Sequence, residues 1–300
     1  MTSLVSVCIP THRRPVGLDR LLTSLAAQSG APPFDVIVVD NDSTGSGEQV
    51  AVRHRDRLAL SYLVEPVRGL ARVRNRAVAF AATPFIAFID DDEWAPPEWL
   101  AAMHHVANDF AADVVIGGVE QMFDDAVPDY IRTCGLFDNP PRRNGAAVPW
   151  YLTRTSNALI RRESLPDFFA PFSTRFDLVG GEDLELFRRM IDDGTRVVAA
   201  DVNVFESRPF TRANLRWVLR RALRNGGTFG AVEWGRSDRQ TSARRLARSG
   251  VEAIRHAAKV AGLWNKDRSS TGRHIVRACE EVGKILHLAG IRIEEYRIHP

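Results

Sequence analysis

Residues 84–92 read Pro84-Phe85-Ile86-Ala87-Phe88-Ile89-Asp90-Asp91-Asp92, an apolar run that ends in three carboxylates. An apolar run without alternation is typical of a strand whose two faces are both covered. A second run, Asp35-Val36-Ile37-Val38-Val39-Asp40, also ends in an aspartate. Both runs therefore indicate buried strands of an α/β sheet, each with a carboxylate at or just beyond its carboxyl end.

Strand and helix patterns alternate around these two runs. Further strands are predicted at 4–9, 58–64 and 113–120, and helices at 18–28, 49–57, 69–82 and 184–191. The alternation over the first 120 residues predicts a doubly wound, mostly parallel α/β sheet with a Rossmann-like half. Right-handed crossovers then place Thr11, Asp40 and Asp90 at one edge, where such sheets bind ligands.

The second half of the chain has a different pattern. Residues 123–149 are rich in Pro, Asn, Gly and Asp and are predicted to form a loop. Beyond Pro209 the sequence predicts basic helices, broken at Gly226-Gly227, Gly235, Gly250 and Gly262.

Charge is distributed unevenly along the chain. Residues 1–206 carry 20 Lys and Arg against 29 Asp and Glu, whereas residues 207–300 carry 20 against 8. A basic region of this kind favours an anionic partner, such as a membrane surface, a nucleic acid or a phosphorylated ligand. A solvated, arginine-rich helical face is the plainer alternative.

Composition narrows the class of protein. With 45% hydrophobic and 26% charged residues, the chain is expected to be globular rather than disordered. The run from Ala77 to Ile89 is too short and too interrupted to span a membrane, and no secretory signal is recognised at the start. Three widely spaced cysteines predict neither a disulfide framework nor a zinc cluster, and a cytoplasmic location is expected.

The three consecutive aspartates are the first candidate for chemistry. In an extended segment Asp90 and Asp92 would share one face and Asp91 the other. Carboxylates that converge repel each other unless a cation offsets them, and Mg²⁺ or Mn²⁺ suits a site that also takes phosphate oxygens. The alternative is a solvated turn that caps the helix near Pro96.

The second candidate is the segment Gly180-Gly181-Glu182-Asp183, which leads into a predicted helix. Carboxylates in a first helical turn are stabilised by the helix dipole, and capping alone explains them. An ionised Asp183 is also able to accept a proton from an attacking hydroxyl, as a general base does. The residues alone leave both interpretations open.

Five segments follow one another along the chain: Val5-Ser6-Val7-Cys8-Ile9-Pro10-Thr11, Val38-Val39-Asp40-Asn41-Asp42-Ser43, Gly69-Leu70-Ala71-Arg72-Val73-Arg74-Asn75, Phe88-Ile89-Asp90-Asp91-Asp92-Glu93 and Gly180-Gly181-Glu182-Asp183. In this order they closely resemble the inverting glycosyltransferases of family 2, which have the GT-A fold, and the resemblance covers about residues 3–225. Together with Val204-Phe205-Glu206, they look most like bacterial exopolysaccharide enzymes of the succinoglycan type.

The resemblance implies a role for each matching position. Asp183 would be the general base, and Asp92 would hold a Mg²⁺ or Mn²⁺ ion that bridges the two phosphates of the donor. Asn157 and Glu182 would lie near the acceptor, although a loop-capping role explains Asn157 equally well. The donor nucleotide would contact Pro10, Thr11, Asp40, Arg74 (or nearby Arg68), Asp90 and Asp91.

The implied activity is transfer of a sugar from a nucleotide-sugar, expected to be a UDP-sugar, with inversion at the anomeric carbon. Residues 1–210 would form the GT-A domain, with a nucleotide-sugar-binding half at 1–120 and an acceptor half at 121–210, followed by a basic helical region at 211–300. Arg216-Trp217 lacks the Gln of the processive members' motif, so a single addition is expected. The alternatives are a sugar-nucleotide nucleotidyltransferase and a non-catalytic binding module.

The acceptor is expected to be a glycan or a saccharide linked to polyprenyl diphosphate. An apolar stripe at Leu215, Val218, Leu219, Ala222 and Leu223, flanked by arginines, would either pack on the domain or lie on the inner face of the cell membrane. No nucleic-acid-binding motif or aromatic stacking array accompanies the basic region, so the sequence does not favour a nucleic-acid partner.

Overall fold

The structure is a computed structural model that describes residues 2–177, 179–234, 239–263, 267–291 and 293. The described residues form a sheet of eight strands, whose bounds are as follows: β1 Val5–Thr11, β2 Phe34–Asp40, β3 Leu60–Val64, β4 Phe85–Phe88, β5 Glu93–Trp94, β6 Val114–Phe123, β7 Ala158–Arg161 and β8 Val197–Arg208. Their order across the sheet is β3-β2-β1-β4-β7-β6-β8-β5.

Nine α-helices lie within the described ranges. They are α1 Pro15–Ala26, α2 Glu48–His54, α3 Leu70–Phe80, α4 Trp99–Asp109, α5 Asp129–Arg132, α6 Glu182–Asp192, α7 Leu215–Trp234, α8 Arg239–Leu263 and α9 Arg268–Leu288. The helices and strands predicted from the sequence are all present, with ends that differ by a few residues. Residues 123–149 are irregular as predicted, apart from the short helix α5.

The strands β3, β2, β1 and β4 pair in parallel, which confirms the doubly wound half of the fold. Thr11 at the end of β1 is in register with Asp40 at the end of β2, so the two residues share one edge of the sheet. The pairs of β7 with β4 and β6, and of β5 with β8, are antiparallel.

Each face of the sheet is covered by its own apolar core. Helices α1 and α4 contribute one core, in which Leu18, Leu22 and Trp99 are fully buried. Helices α3 and α6 contribute the other, which includes Val78 and Phe187. Because both faces are covered, the central strands have the continuous apolar runs seen in the sequence.

The chain divides into two compact units. The first contains residues 1–120, 139–177 and 182–206, and the second contains residues 121–138, 178–181 and 207–300. Within the second unit, Val127, Ile131 and Cys134 form an apolar core with α7 and α9. The division of the chain near residue 210 stays a prediction.

The prediction that glycines break the basic helices is wrong at four positions. Helix α7 continues through Gly226 and Gly227, and α8 continues through Gly250 and Gly262. A Cβ on Gly226 would overlap the carbonyl oxygen of Glu280 in α9, so this glycine permits close packing of two helix backbones. Gly235 lies outside the described residues.

Part of the apolar stripe of α7 faces inward, while Leu215 at its start is 46% exposed. Val218 and Ala222 are buried against Ala213 and Val276 within the second unit. This packing favours docking of α7 over contact with a membrane. Among the described helices, none combines the length and the apolar character needed to cross a bilayer.

Candidate active site

Residues 90–93 form a tight turn at the end of β4, which we call the acidic turn. The Glu93 amide donates to the Asp90 carbonyl oxygen at 3.0 Å, and the Asp90 amide donates to Glu93 Oε2 at 2.9 Å. Because the chain turns here, the expected alternation of an extended segment is wrong. Asp91 and Asp92 converge on one arginine, while Asp90 contacts another.

The first of these arginines, Arg14, comes from the connection between β1 and α1. Its Nη1 atom donates to Asp91 Oδ1 and to Asp92 Oδ2, both at 2.8 Å. Arg13 has a φ of 53°, a left-handed conformation that costs non-glycine residues energy and here separates the two side chains. Arg13 Nε instead donates to Asp42 Oδ2 at 3.0 Å, and this contact holds the pKa of Asp42 well below its usual value.

The three aspartates differ in exposure. Asp91 accepts a hydrogen bond from the Thr11 hydroxyl at 2.8 Å and keeps only 6% of its side chain exposed, and burial raises its pKa. Asp90 and Asp92 keep 35% and 19% exposed. The carboxylates accessible to a ligand are therefore those of Asp90 and Asp92, while Asp91 orders the turn.

A buried arginine joins the acidic turn to helix α6. Arg74 of α3 is 3% exposed, and its Nη2 atom lies 3.4 Å from Asp90 Oδ1. Its Nη1 atom forms a short ion pair with Oε1 of Glu182, which is itself 2% exposed. Asp183, the next residue, is partly exposed in the first turn of α6. Segments some 90 residues apart in sequence thus meet at one guanidinium group.

Three of the residues expected at the nucleotide are buried at the edge of the sheet. Pro10, Thr11 and Asp40 are all buried. Asp40 accepts four hydrogen bonds, from the Asp42 and Gly47 amides and from the Ser46 and Tyr62 hydroxyls, at 2.7–3.2 Å. These contacts make Asp40 the anchor of the loop that follows β2, and its contact with the donor stays a prediction.

Asn157 is fully buried and both ends of its amide are engaged. The Trp99 indole donates to its Oδ1 atom at 2.7 Å, and its Nδ2 atom donates to the carbonyl oxygens of Gly118 and Val202. A Cβ on Gly117 would overlap this amide. The contacts favour the structural interpretation of Asn157, and its acceptor role, like that of Glu182, stays a prediction.

The acidic turn has the donor chemistry that a hard divalent ion requires. Mg²⁺ and Mn²⁺ bind one or two carboxylates and complete their coordination with water and phosphate oxygens. Asp92, with Asp90 beside it, fits that description. Within the described ranges, no group of three or more His, Cys, Asp or Glu forms a metal cage by itself.

Arg14 is the residue that sequence reasoning missed. The sequence contained a signal for this residue. Arg14 follows the end of β1, and β1 pairs with β4, the strand that leads into the acidic turn. The direction of its side chain depends on the left-handed residue before it, which the sequence does not reveal.

Comparison with known proteins identifies the family. The sequence model described as glycosyl transferase family 2 matches residues 6–169, more than half of the 300 residues. The chain belongs to glycosyltransferase family 2. It is 29% identical to the succinoglycan biosynthesis protein ExoM of Rhizobium meliloti over 97% of this chain and 94% of that protein.

Two solved structures show the fold. The mannosyltransferase PcManGT of Pyrobaculum calidifontis, solved with GDP-Man and Mn²⁺, has a TM-score of 0.62 and 20% identity, with 96% of this chain and 88% of that chain covered. TarS 1–349 of S. aureus, in complex with UDP-GlcNAc, has a TM-score of 0.55 and 17% identity, with 95% and 92% covered. The predicted GT-A glycosyltransferase fold is confirmed, and the family sets aside the nucleotidyltransferase alternative.

Proposed function

We propose that this glycosyltransferase makes single, metal-dependent additions of a sugar from a UDP-sugar to a hydroxyl, with inversion at the anomeric carbon. The acceptor would be a glycan or a saccharide carried on polyprenyl diphosphate, in the assembly of a bacterial surface polysaccharide. The name of the relative ExoM, which nearly the whole chain matches, supports an exopolysaccharide pathway. The enzyme would work on the cytoplasmic side of the membrane.

The observation that carries the proposal is the pair of contacts made by Arg74. Its guanidinium group touches Asp90 of the acidic turn and Glu182 of α6. These two contacts connect the acidic turn, the proposed donor side, with the start of α6, which bears Asp183. A general base needs this placement, because it must reach the acceptor hydroxyl while the donor occupies the adjacent space.

Asp183 would take the proton of the attacking hydroxyl. Asp183 lies in the first turn of α6, beside the positive end of the helix dipole. Single-step attack on the face opposite the departing UDP inverts the anomeric configuration. The chain would therefore need no covalent intermediate and no second nucleophile.

On the donor side, Asp92 would hold Mg²⁺ or Mn²⁺, and the ion when bound would supply positive charge that stabilises the leaving diphosphate. Arg14 lies against Asp92 and adds fixed positive charge at this place. The nucleotide would contact Pro10, Thr11, Asp40, Arg74, Asp90 and Asp91. The buried residues among them would act mainly by holding the backbone of the site in position.

The test is a panel of nucleotide-sugars with release of the free nucleotide as readout. We expect release of UDP from one UDP-sugar in the presence of Mn²⁺ or Mg²⁺, with loss of release when EDTA is added. Proton NMR of the product of an accepted glycan should show an inverted anomeric centre. Release that persists in EDTA, or a retained configuration, would contradict the proposal.

A further inference from the structure

Helix α8 has one side packed on α9 and one side exposed. Ser249 is 4% exposed and the His256 side chain 14% exposed, and His256 Nδ1 lies 2.9 Å from His274 Nδ1 of α9. These residues, with Val260 further along, follow the spacing of one helical face. They define the inner side of α8.

An apolar stripe runs along the outer side. Ala247, Val251, Ile254, Ala258 and Ala261 recur at spacings of four and three residues, so they share one face. All five are exposed, and Val251 and Ile254 keep 64% and 72% of their surface exposed. Together the five residues form a contiguous exposed apolar patch, and patches of this kind mark contact sites for proteins or membranes when they are large enough.

A basic stripe lies next to the apolar one. Arg244, Arg248, Arg255 and Lys259 recur at spacings of four, seven and four residues, and all are exposed. Glu252 is the only acidic residue in the sequence of α8, and it pairs with Arg255 at 2.6 Å. The outer side of α8 therefore has two parts: an apolar stripe, and a basic stripe along one flank of it.

We propose that this outer side of α8 docks the enzyme on an anionic lipid surface. The apolar strip would enter the boundary between headgroups and acyl chains, and the basic stripe would lie among the anionic headgroups. Docking would bring the enzyme to a lipid-linked acceptor, and only this role of the docking rests on the proposed function. It assigns to α8 the membrane contact that the sequence suggested for α7.

Two other occupants explain less of the surface. A nucleic acid would use the basic stripe but would leave Val251 and Ile254 exposed. A second copy of the chain would cover the apolar stripe but would offer the basic stripe no anionic partner. An anionic lipid surface uses both stripes at once.

The first experiment is sedimentation with vesicles of phosphatidylglycerol mixed with phosphatidylcholine, at low salt. We expect the protein to bind them and not to bind vesicles of phosphatidylcholine alone. The double variant Arg244→Gln/Arg248→Gln should partition about thirtyfold more weakly, since each basic residue near the surface contributes roughly 1 kcal/mol. The matched control is Arg55→Gln/Arg57→Gln, two exposed arginines of the first unit, which should bind as the unchanged protein does.

The second experiment tests the apolar strip. The variant Val251→Gln/Ile254→Gln should lose vesicle binding, whereas Val52→Gln, at a residue of α2 that is 51% exposed, should not. UDP release from a soluble UDP-sugar should be unchanged in all these variants, so a failure of docking is distinguishable from a failure of the proposed function.

Three outcomes would overturn the proposal. The first is equal vesicle binding by the α8 variants and their controls. The second is tight binding to double-stranded DNA that the arginine variant alone loses. The third is a dimer in sedimentation velocity that Val251→Gln/Ile254→Gln dissociates.

Discussion

Arg14 supplies positive charge to two carboxylates that the sequence places side by side. Asp91 and Asp92 each accept from its Nη1 atom, so their mutual repulsion is offset within the protein itself. A divalent ion at Asp92 therefore has to share that carboxylate with a guanidinium group. The binding of the ion and the position of Arg14 should be coupled.

The variant Arg14→Gln tests this coupling. With the guanidinium removed, Asp91 and Asp92 present a more negative field, and we expect Mn²⁺ alone to bind several-fold more tightly in isothermal titration calorimetry. Arg13→Gln is the matched control, because it removes the same charge from the neighbouring residue, whose partner is Asp42. Unchanged or weaker Mn²⁺ binding by Arg14→Gln would contradict the coupling.

At the residue scale, the sequence predicted which residues lie at the edge of the sheet better than it predicted their side-chain contacts. Parallel strands end at one edge, so Thr11, Asp40 and Asp90 could be placed together from their positions alone. The burial of Asp40 beneath four hydrogen-bond donors depends on how the following loop folds back. Such packing involves residues and rotamers that a linear pattern does not encode.

At the scale of secondary structure, the crossing of α7 and α9 shows why glycine was misread. Gly226 of α7 and Gly283 of α9 each lie against backbone atoms of the other helix. Glycine lowers intrinsic helix stability, so the glycines of the sequence predict breaks in these helices. Close packing of the two backbones compensates for that loss, and Glu280, which Gly226 contacts, lies 54 residues further along the chain.

Two alanine substitutions separate these effects. Gly226→Ala should destabilise the protein by about 1–3 kcal/mol, because the new methyl group overlaps Glu280 and the helices must move apart. Gly250→Ala in α8 meets no atom within 4 Å and should stabilise it by about 0.5–1 kcal/mol. Urea unfolding of both variants measures the difference, and equal effects would refute a special role for the crossing.

The ion pair between Arg74 and Glu182 fixes the start of α6. Glu182→Gln leaves the buried Arg74 with one carboxylate instead of two and should cost about 3 kcal/mol in urea unfolding. Asp192→Asn breaks an exposed pair with Arg188 on the same helix and should cost less than about 1 kcal/mol. Comparable costs for the two variants would show that the buried pair does not anchor the helix.

At the scale of the whole molecule, charge and composition separated an acidic body from a basic C-terminal region. The second unit holds that region together with residues 121–138. Half of that segment is apolar, but its place in the stretch 123–149, which is rich in Pro, Asn, Gly and Asp, predicts a loop. Only the folded core shows that Val127 and Ile131 pack with α7 and α9.

The central claim is that the acidic turn and the start of α6 serve one reaction, with Asp92 on the donor side and Asp183 on the acceptor side. The most direct measurement compares Asp183→Asn with Asp92→Asn, using transfer rates and calorimetric titration of UDP in the presence of Mn²⁺. We expect Asp183→Asn to lower kcat by about 10²–10⁴-fold with unchanged UDP affinity, since only the proton acceptor is lost. Asp92→Asn should lose both sugar transfer and UDP binding. An Asp183→Asn enzyme that transfers sugar at the normal rate, or one that stops binding UDP while it remains folded, would contradict it.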